Sequence, residues 1–240
     1  FKTIINIVMA SSTLRKYSAS VIFLHGSGDT GPNLLEWVRF LLGRDLDFAH
    51  IKIIYPTAPL QKYTPLNGQL STVWFDRRSV NIAAQESKKS MSESYNIVQK
   101  LIQNEVDNGI PLNRIIVGGF SMGGALALHT GYHLNTDLAG VFAHSSFLNR
   151  QSVVYESLTN RSEANAKLPE LYMFHGERDT LVPFEWGQET WESLNKLGVS
   201  GTFTPLKNTL HELKNKSMLS LEEWILQKLP PTQNDQQNKL

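Results

Sequence analysis

The chain of 240 residues contains no cysteine. Without a thiol it can hold no disulfide, no cysteine-ligated metal and no cysteine nucleophile, and it cannot itself be S-acylated. It also lacks an excess of either charge, since 23 Lys and Arg residues are balanced by 22 Asp and Glu residues. This balance gives no reason to expect nucleic acid or an anionic membrane as the main partner. We therefore expect no nucleic-acid partner.

Long hydrophobic runs are also missing. No apolar stretch approaches the roughly 20 residues needed to span a bilayer. Near the start, the apolar residues 4–10 form a short run that Asn6 interrupts, which is a poor match to a secretory signal. We interpret residues 1–18 as an N-terminal extension, and Met9 is a candidate start that would leave residues 1–8 outside the native protein.

Short apolar runs alternate with longer amphipathic segments, and no internal repeat is visible. Several runs are continuously apolar, as in Val21-Ile22-Phe23-Leu24, which is typical of parallel strands covered on both faces. This order predicts one α/β domain over residues 19–229, with a doubly wound, mostly parallel sheet and helices on both faces. The predicted strands are 19–25, 51–55, 114–120, 138–145, 170–175 and 201–206, and the predicted helices are 33–43, 87–107, 123–134, 184–197 and 217–229.

Two segments stand outside this alternation. Residues 56–84 contain several prolines and no clear periodicity, and a loop of that length inside a compact domain is usually functional or mobile. The polar segment 230–240 is rich in Gln and Asn, so we expect a disordered tail there. The long loop carries Trp74 and Phe75, which are candidate substrate contacts, although such large side chains more often anchor a core.

A Gly-x-Ser-x-Gly motif runs from Gly119 to Gly123, between a predicted strand and a predicted helix. A serine nucleophile needs this context, because its hydroxyl must project from a sharp turn at the top of the sheet. The N-terminus of the following helix also favours the negative charge that develops on the oxyanion. We predict that Ser121 is the nucleophile. The alternative is a glycine-rich turn that binds phosphate or packs tightly, although the spacing of dinucleotide and P-loop motifs is absent.

The base and the acid are sought downstream, because α/β-hydrolases carry nucleophile, acid and histidine in that chain order. His211 is the last histidine and follows the last predicted strand, so it is the candidate base. Asp179 follows the strand 170–175 at the sheet edge where ligands bind, so it is the candidate acid. Glu177 is its rival on the same loop, and His175 is expected to serve turn geometry. The alternatives are a surface loop residue for the histidine and a helix cap or exposed turn residue for the aspartate.

When a serine attacks an acyl carbonyl, the oxyanion that forms also needs two backbone hydrogen-bond donors. The amide of Met122, directly after the nucleophile, is one candidate. The amide of Ser27 is the other, because the glycines of loop 25–31 allow the backbone to approach a ligand closely. A purely structural turn is the alternative, and His25 and Asp29 alone make a weak metal site. We predict no metal site.

Six segments carry a family resemblance, in the same order along the chain from about residue 20 to residue 229. They are Leu24-His25-Gly26-Ser27-Gly28-Asp29-Thr30-Gly31, Tyr55-Pro56-Thr57-Ala58-Pro59, Trp74-Phe75-Asp76, Gly118-Gly119-Phe120-Ser121-Met122-Gly123-Gly124, His175-Gly176-Glu177-Arg178-Asp179-Thr180-Leu181-Val182-Pro183 and His211-Glu212. Together they resemble the acyl-protein thioesterases, also described as the phospholipase/carboxylesterase family. Met122 and Ser27 make the chain most similar to the lysophospholipase-like protein branch.

The resemblance implies the α/β-hydrolase fold, a triad of Ser121, Asp179 and His211, and an oxyanion hole built from the amides of Ser27 and Met122. It implies a cytoplasmic enzyme without a cofactor that hydrolyses S-palmitoyl or shorter S-acyl thioesters on protein cysteines. Its substrates would be S-acylated proteins or small acyl esters, with transient membrane-surface contact and no obligate partner. The alternatives are a short-chain carboxylesterase or lysophospholipase and, more remotely, a non-catalytic interaction domain.

The acyl chain length is left open. Trp74, Phe75 and Leu181 are the candidate substrate-binding residues. The apolar side chains of loop 56–84 either line or block the tunnel that a long acyl chain needs. Resemblance to the lysophospholipase-like branch implies a shallower pocket that favours shorter acyl groups.

Overall fold

A computed structural model describes residues 17–161 and 167–237 of the chain. Most of the expected N-terminal extension, residues 1–16, lies outside the described residues. The strands are β1 Ala19–Leu24, β2 Ile51–Ile54, β3 Leu60–Tyr63, β4 Gln69–Thr72, β5 Ile115–Phe120, β6 Gly140–His144, β7 Glu170–Gly176 and β8 Gly201–Leu206. The apolar runs form a central sheet of six parallel strands in the order β2-β1-β5-β6-β7-β8, and β3 pairs with β4 in a separate hairpin.

Helices cover both faces of the sheet, so the predicted α/β architecture is confirmed. The helices are α1 Gly31–Leu42, α2 Lys88–Asp107, α3 Met122–His129, α4 Val153–Thr159, α5 Phe184–Lys196, α6 Asn215–Lys228 and α7 Gln233–Gln237. Alternate residues of one strand enter different cores: Ile22 packs in a cluster with α2, α3 and α5, whereas Val21 packs in a cluster with α1 and α6. This alternation explains why the strands are continuously apolar in sequence.

The segment 56–84 is more ordered than its sequence suggested. Leu60–Tyr63 pairs antiparallel with Gln69–Thr72, and a 3-10 turn at Thr64–Leu66 joins the two strands. Trp74 follows the hairpin and is buried, and its indole nitrogen donates to the backbone oxygen of His25 at 2.8 Å. The hairpin is thereby attached to the loop that follows β1.

The helices differ from the prediction mainly at short elements. α4 was not predicted, because its seven residues are too few to show a helical period. α3 ends at His129, earlier than predicted, and the chain continues through one π turn at Thr130–Leu134. α7 lies in the segment expected to be a disordered tail; there the carboxylate of Asp235 accepts hydrogen bonds from Thr232 and Ser18. No helix in the described residues is long and apolar enough to cross a bilayer.

Candidate active site

Ser121 lies on the sharp turn between the end of β5 and the start of α3. Its backbone has φ 54° and ψ −118°, a conformation that is strained for any residue with a side chain. The residue is only 8% exposed. The structure therefore contains the strand–turn–helix arrangement that the sequence predicted around a nucleophilic serine.

The two glycines of the motif are required because other backbone passes too close for a side chain. A Cβ on Gly119 would lie 2.3 Å from the carbonyl carbon of Gly123. A Cβ on Gly123 would lie 2.2 Å from the backbone oxygen of Leu24, at the end of β1. The motif thus allows β1, β5 and α3 to pack closely, which places Ser121 at the carboxyl edge of the sheet.

Asp179 lies in the loop after β7, with its side chain fully buried. Its Oδ1 accepts the backbone amides of Leu181 at 3.0 Å and Val182 at 2.9 Å. Its Oδ2 lies 2.7 Å from Nδ1 of His211. Burial acts to raise the pKa of Asp179, but the hydrogen bonds from His211 and from Val182 outweigh it and hold the pKa below its ordinary value. The carboxylate is therefore charged at neutral pH.

His211 reaches this carboxylate from the loop after β8. Its ring packs against Phe120, the residue before Ser121, with 4.8 Å between ring centroids. Because Asp179 accepts at Nδ1, the neutral ring carries its proton there and leaves Nε2 as the proton acceptor. His211 and Ser121 line the same cleft. The structure therefore brings all three predicted catalytic residues together at one end of the sheet.

The rival acid Glu177 is exposed, and the carboxylate that reaches His211 is that of Asp179. His175 is fully buried in β7, and its Nε2 bonds the backbone oxygen of Val182 at 2.8 Å. This contact holds the loop that carries Asp179, so His175 supports the loop rather than shaping a turn. Gly176 lets the loop after β8 approach, since a Cβ there would lie 2.4 Å from the backbone oxygen of Thr209.

The two predicted oxyanion-hole residues are neighbours. The hydroxyl of Ser27 lies 3.7 Å from the sulfur of Met122. Met122 is the first residue of α3, so its amide has no acceptor within the helix. The loop of Ser27 is fixed on its other side by Gly28, whose amide donates to Thr72 of β4 at 2.9 Å. Ser27 and Met122 thus lie next to each other, and both residues belong to ordered segments that adjoin Ser121.

An open cleft of about 310 Å³ surrounds these groups. Leu181, a predicted substrate contact, lines it and is 54% exposed. The other two predicted contacts do not line it: Trp74 is a buried anchor, and Phe75 lines a neighbouring cavity of only about 10 Å³. The cleft is lined by Gly26, Ser27, Asp29, Tyr63, Pro65, Leu66, Arg77, Val80, Phe120, Ser121, Leu181, Val182 and His211.

Sequence reasoning expected apolar side chains of segment 56–84 at the substrate site, and it missed the polar ones, Tyr63 and Arg77. Tyr63 and Leu66 reach the cleft from β3 and the 3-10 turn, and Arg77 reaches it from the residues after Trp74. Their positions depend on the register of the β3–β4 hairpin, which the irregular, proline-containing sequence did not reveal. The position of Arg77 next to Trp74-Phe75-Asp76, a segment of the family resemblance, was the available signal.

In the described part of the chain, no group of three or more His, Asp and Glu side chains is arranged to hold a metal ion. His25, one of the residues weighed for such a site, has both ring nitrogens engaged. Its Nε2 accepts the amide of Ala58 at 2.9 Å, and Nδ1 lies 2.7 Å from the backbone oxygen of Gly26. Burial lowers the pKa of His25, in keeping with a neutral ring that joins two loops.

Known proteins are similar in sequence to this chain over most of its length. Residues 6–229 match a family model described as phospholipase/carboxylesterase. Lysophospholipase-like protein 1 of Mus musculus is 48% identical over 215 residues, which cover 90% of this chain and 89% of the mouse protein. Acyl-protein thioesterase 1 homolog 1 of Dictyostelium discoideum is 32% identical over 231 residues, which cover 95% of this chain and 99% of that protein.

Solved structures show the same fold. The crystal structure of Zea mays acyl-protein thioesterase 2 matches with a TM-score of 0.76 at 26% identity, covering 89% of this chain and 95% of that one. The crystal structure of Arabidopsis thaliana SOBER1 also matches with a TM-score of 0.76, at 25% identity, covering 88% of this chain and 99% of that one. The similarity therefore extends over nearly the whole length of each protein.

Proposed function

Because this chain belongs to the phospholipase/carboxylesterase family, we propose that it is a serine hydrolase that removes acyl groups from protein cysteines through Ser121, His211 and Asp179. His211 takes the proton of Ser121 as the serine oxygen attacks the thioester carbonyl. Asp179 holds the imidazole in the tautomer with Nδ1–H and stabilises its charged form. The thiol leaves with the proton, and water then hydrolyses the acyl-enzyme with His211 again as base.

One observation carries this proposal: His211, which lies 2.7 Å from Asp179, lines the same cleft as Ser121 with its strained backbone. The chemistry needs three parts: a buried acid, a histidine base protonated at Nδ1, and a nucleophile that projects from a sharp turn. The amides of Ser27 and Met122 are proposed to bind the oxyanion. Their support is the 3.7 Å contact between the two side chains and the position of Met122 at the N-terminus of α3.

Protein thioesters are the proposed substrates because curated relatives are named acyl-protein thioesterases. Exposed leucines near the cleft provide an apolar rim for transient contact with a membrane surface, where acyl groups reside. We place this activity in the cytoplasm, without a cofactor and without an obligate partner. The exposed leucines that line the cleft are Leu66 and Leu181.

The shape of the cleft favours short or medium acyl groups, and this is the observation that supports a short-chain carboxylesterase or lysophospholipase as the second candidate. A volume of about 310 Å³ is small for a ligand site. The neighbouring cavity lined by Phe75, Met91 and Phe147 holds about 10 Å³, room for no more than one water. A palmitoyl chain would have to displace these side chains or run along the surface.

Labelling with a fluorophosphonate probe tests the nucleophile. The wild type should react, Ser121→Ala should not, and Ser92→Ala on the exposed face of α2 should react like the wild type. Equal labelling of the wild type and Ser121→Ala would refute Ser121 as the nucleophile, and absence of labelling in the wild type would refute a serine hydrolase.

Chain length is tested by comparing thioesters and oxyesters from acetyl to palmitoyl on one enzyme preparation. We expect kcat/KM to be highest for short and medium thioesters and to fall steeply beyond octanoyl. A maximum at palmitoyl would contradict the shallow-cleft argument. A clear preference for oxyesters would favour the carboxylesterase alternative.

A further inference from the structure

Arg77 is the one Arg or Lys among the described residues that line the Ser121 cleft. Its Nε donates to the hydroxyl of Tyr63 at 2.7 Å, and its Nη2 donates to the hydroxyl of Ser27 at 3.3 Å. Both partners are neutral, and within the described residues no carboxylate lies within 4.0 Å of the guanidinium. The cleft therefore contains a cation that has no counter-ion among the described residues.

The position of Arg77 is fixed by the backbone around it. The amide of Asp76 donates to the hydroxyl of Ser90 at 2.6 Å, and the carboxylate of Asp76 accepts the amide and hydroxyl of Thr64. Arg77 itself forms an antiparallel bridge with Glu86. The guanidinium also lies over the ring of Tyr63, 5.9 Å from its centroid. An arginine that is already fixed in this way loses little conformational entropy when it binds a ligand.

Asp29 is the one Asp or Glu among the described residues that line the cleft. Its Oδ1 accepts the amide of Thr30, the N-cap residue of α1, at 2.8 Å. The N-terminus of that helix favours the negative charge of Asp29. The negative charge of Asp29 is therefore stabilised by the N-terminus of α1, and the positive charge of Arg77 is available to bind a ligand.

We propose that Arg77 binds a carboxylate that the substrate carries a few bonds from its scissile carbonyl. A guanidinium has five N–H donors in a planar fork, and two of them are used by Tyr63 and Ser27, so three remain for a carboxylate. Ser27 links this cation to the proposed oxyanion hole, which places the carboxylate near the reacting carbonyl. This inference rests on the proposed hydrolase function and names its substrate class. The carboxylate belongs either to the acyl group or to the thiol.

Two matched pairs of synthetic thioesters test the inference and distinguish these sources. In the first pair the acyl group ends in a carboxylate or in the corresponding primary amide, as glutaryl and its monoamide. In the second pair the acyl group is butyryl, and the thiol is 3-mercaptopropionate or 3-mercaptopropionamide. The measurement is the ratio of kcat/KM for the acid to kcat/KM for the amide within each pair, which cancels general losses of activity.

We expect the wild type to prefer the acid about tenfold in one of the pairs, as a charge-assisted hydrogen bond would give. Arg77→Gln should bring that ratio to one or below, Arg77→Lys should give an intermediate ratio, and added salt should reduce it in the wild type. The neighbouring Arg78→Gln, at an exposed position, is the matched control and should keep the wild-type ratio.

Wild-type ratios of one or below in both pairs, or a preference that survives in Arg77→Gln, would overturn the inference. If Arg77→Gln does not fold, the wild-type ratios, their salt dependence and Arg77→Lys still decide. Hydrolysis of acids and amides at equal rates would defeat this inference alone. If the enzyme hydrolysed none of the four thioesters, the result would count against the proposed function as well.

Discussion

Asp179 Oδ2 lies 2.7 Å from Nδ1 of His211, and the carboxylate that makes this contact has no exposed surface. The two residues are brought together by adjacent parallel strands, because the acid follows β7 and the histidine follows β8. A buried acceptor at Nδ1 fixes both the tautomer and the orientation of the ring. Catalysis by His211 should therefore depend on the charge of Asp179 and not only on the size of its side chain.

The first prediction concerns Asp179→Asn, which keeps the size of the side chain and removes its charge. An amide nitrogen facing Nδ1 would favour the wrong tautomer, so kcat should fall by about 10³- to 10⁴-fold. Steady-state rates on a short-chain thioester, measured alongside His211→Ala, check this.

The control is Glu177→Gln, an exposed carboxylate on the same loop, which should keep most of the wild-type rate. A loss in Glu177→Gln as large as that in Asp179→Asn would show that the acid has been wrongly assigned. Thermal unfolding of each variant separates a loss of catalysis from a loss of folding.

A second prediction concerns the glycines of the serine turn. In Gly123→Ala the new Cβ would lie 2.2 Å from the backbone oxygen of Leu24, so backbone must shift around Ser121. We expect severe destabilisation, or folded protein that has lost most of its activity and fluorophosphonate labelling.

Gly43→Ala is the matched control, since Gly43 has φ 69° but open space around its Cβ. It should lower the free energy of unfolding by only about 1 kcal/mol and leave the rate of labelling unchanged. Wild-type stability and labelling in Gly123→Ala would show that the close approach to β1 is not required.

The parts of this site that the sequence reveals are those governed by local rules. The Gly-x-Ser-x-Gly spacing reports a backbone conformation that only a few residues around Ser121 determine. The positions after β7 and β8 follow from the rule that ligand-binding residues gather at the carboxyl edge of a parallel sheet. The fold class and the positions of the strands along the chain are therefore predictable from the apolar pattern, and β8 begins and ends at the predicted residues 201–206.

The remaining parts depend on contacts between distant segments. Arg77, which follows β4, donates a hydrogen bond to Tyr63 at the end of β3. The hairpin between these residues has strands of only four residues with one exposed face. The hydrogen bond from Trp74 to His25 decides that this indole is an anchor and not a substrate contact. No periodicity in residues 56–84 encodes either contact, because both follow from tertiary packing.

A third prediction concerns Phe75, which fills the space next to the cleft. Arg77 borders both the cleft and the cavity of about 10 Å³ that Phe75 lines, so the two spaces are adjacent. Phe75→Ala should enlarge this cavity and shift the preferred acyl group towards longer chains, at a cost of about 3 to 5 kcal/mol in stability. The ratio of kcat/KM on decanoyl and butyryl thioesters measures the shift.

Phe40→Ala is the control for this prediction, because Phe40 lies on α1 with 82% of its surface exposed. Its ratio and its stability should stay close to those of the wild type. An unchanged ratio in folded Phe75→Ala would mean that the acyl chain leaves the cleft in another direction, along the rim of exposed leucines.

The last prediction follows from His144, which lies beneath the serine turn and accepts the amide of Ser121 at its backbone oxygen. Its ring is buried between the hydroxyls of Ser145 and Ser217, and burial lowers its pKa from 6.5 to about 3. In the unfolded chain the ring takes up a proton below about pH 6.5, while the folded protein keeps it neutral. The unfolded state then binds more protons, so stability falls as the pH drops from about 6.5 towards 3.

His144→Gln should remove this contribution. Near pH 5 the free energy of unfolding of the wild type should change with pH more steeply than that of the variant, by up to about 1.4 kcal/mol per pH unit. Urea unfolding at several pH values measures both slopes. Ser217→Ala, which deletes the hydrogen bond to Nε2 but no titrating group, should lower stability and keep the wild-type slope. Equal slopes in the wild type and His144→Gln would mean that the folded protein accepts a proton on this ring, and the base of the serine turn would then be open to water.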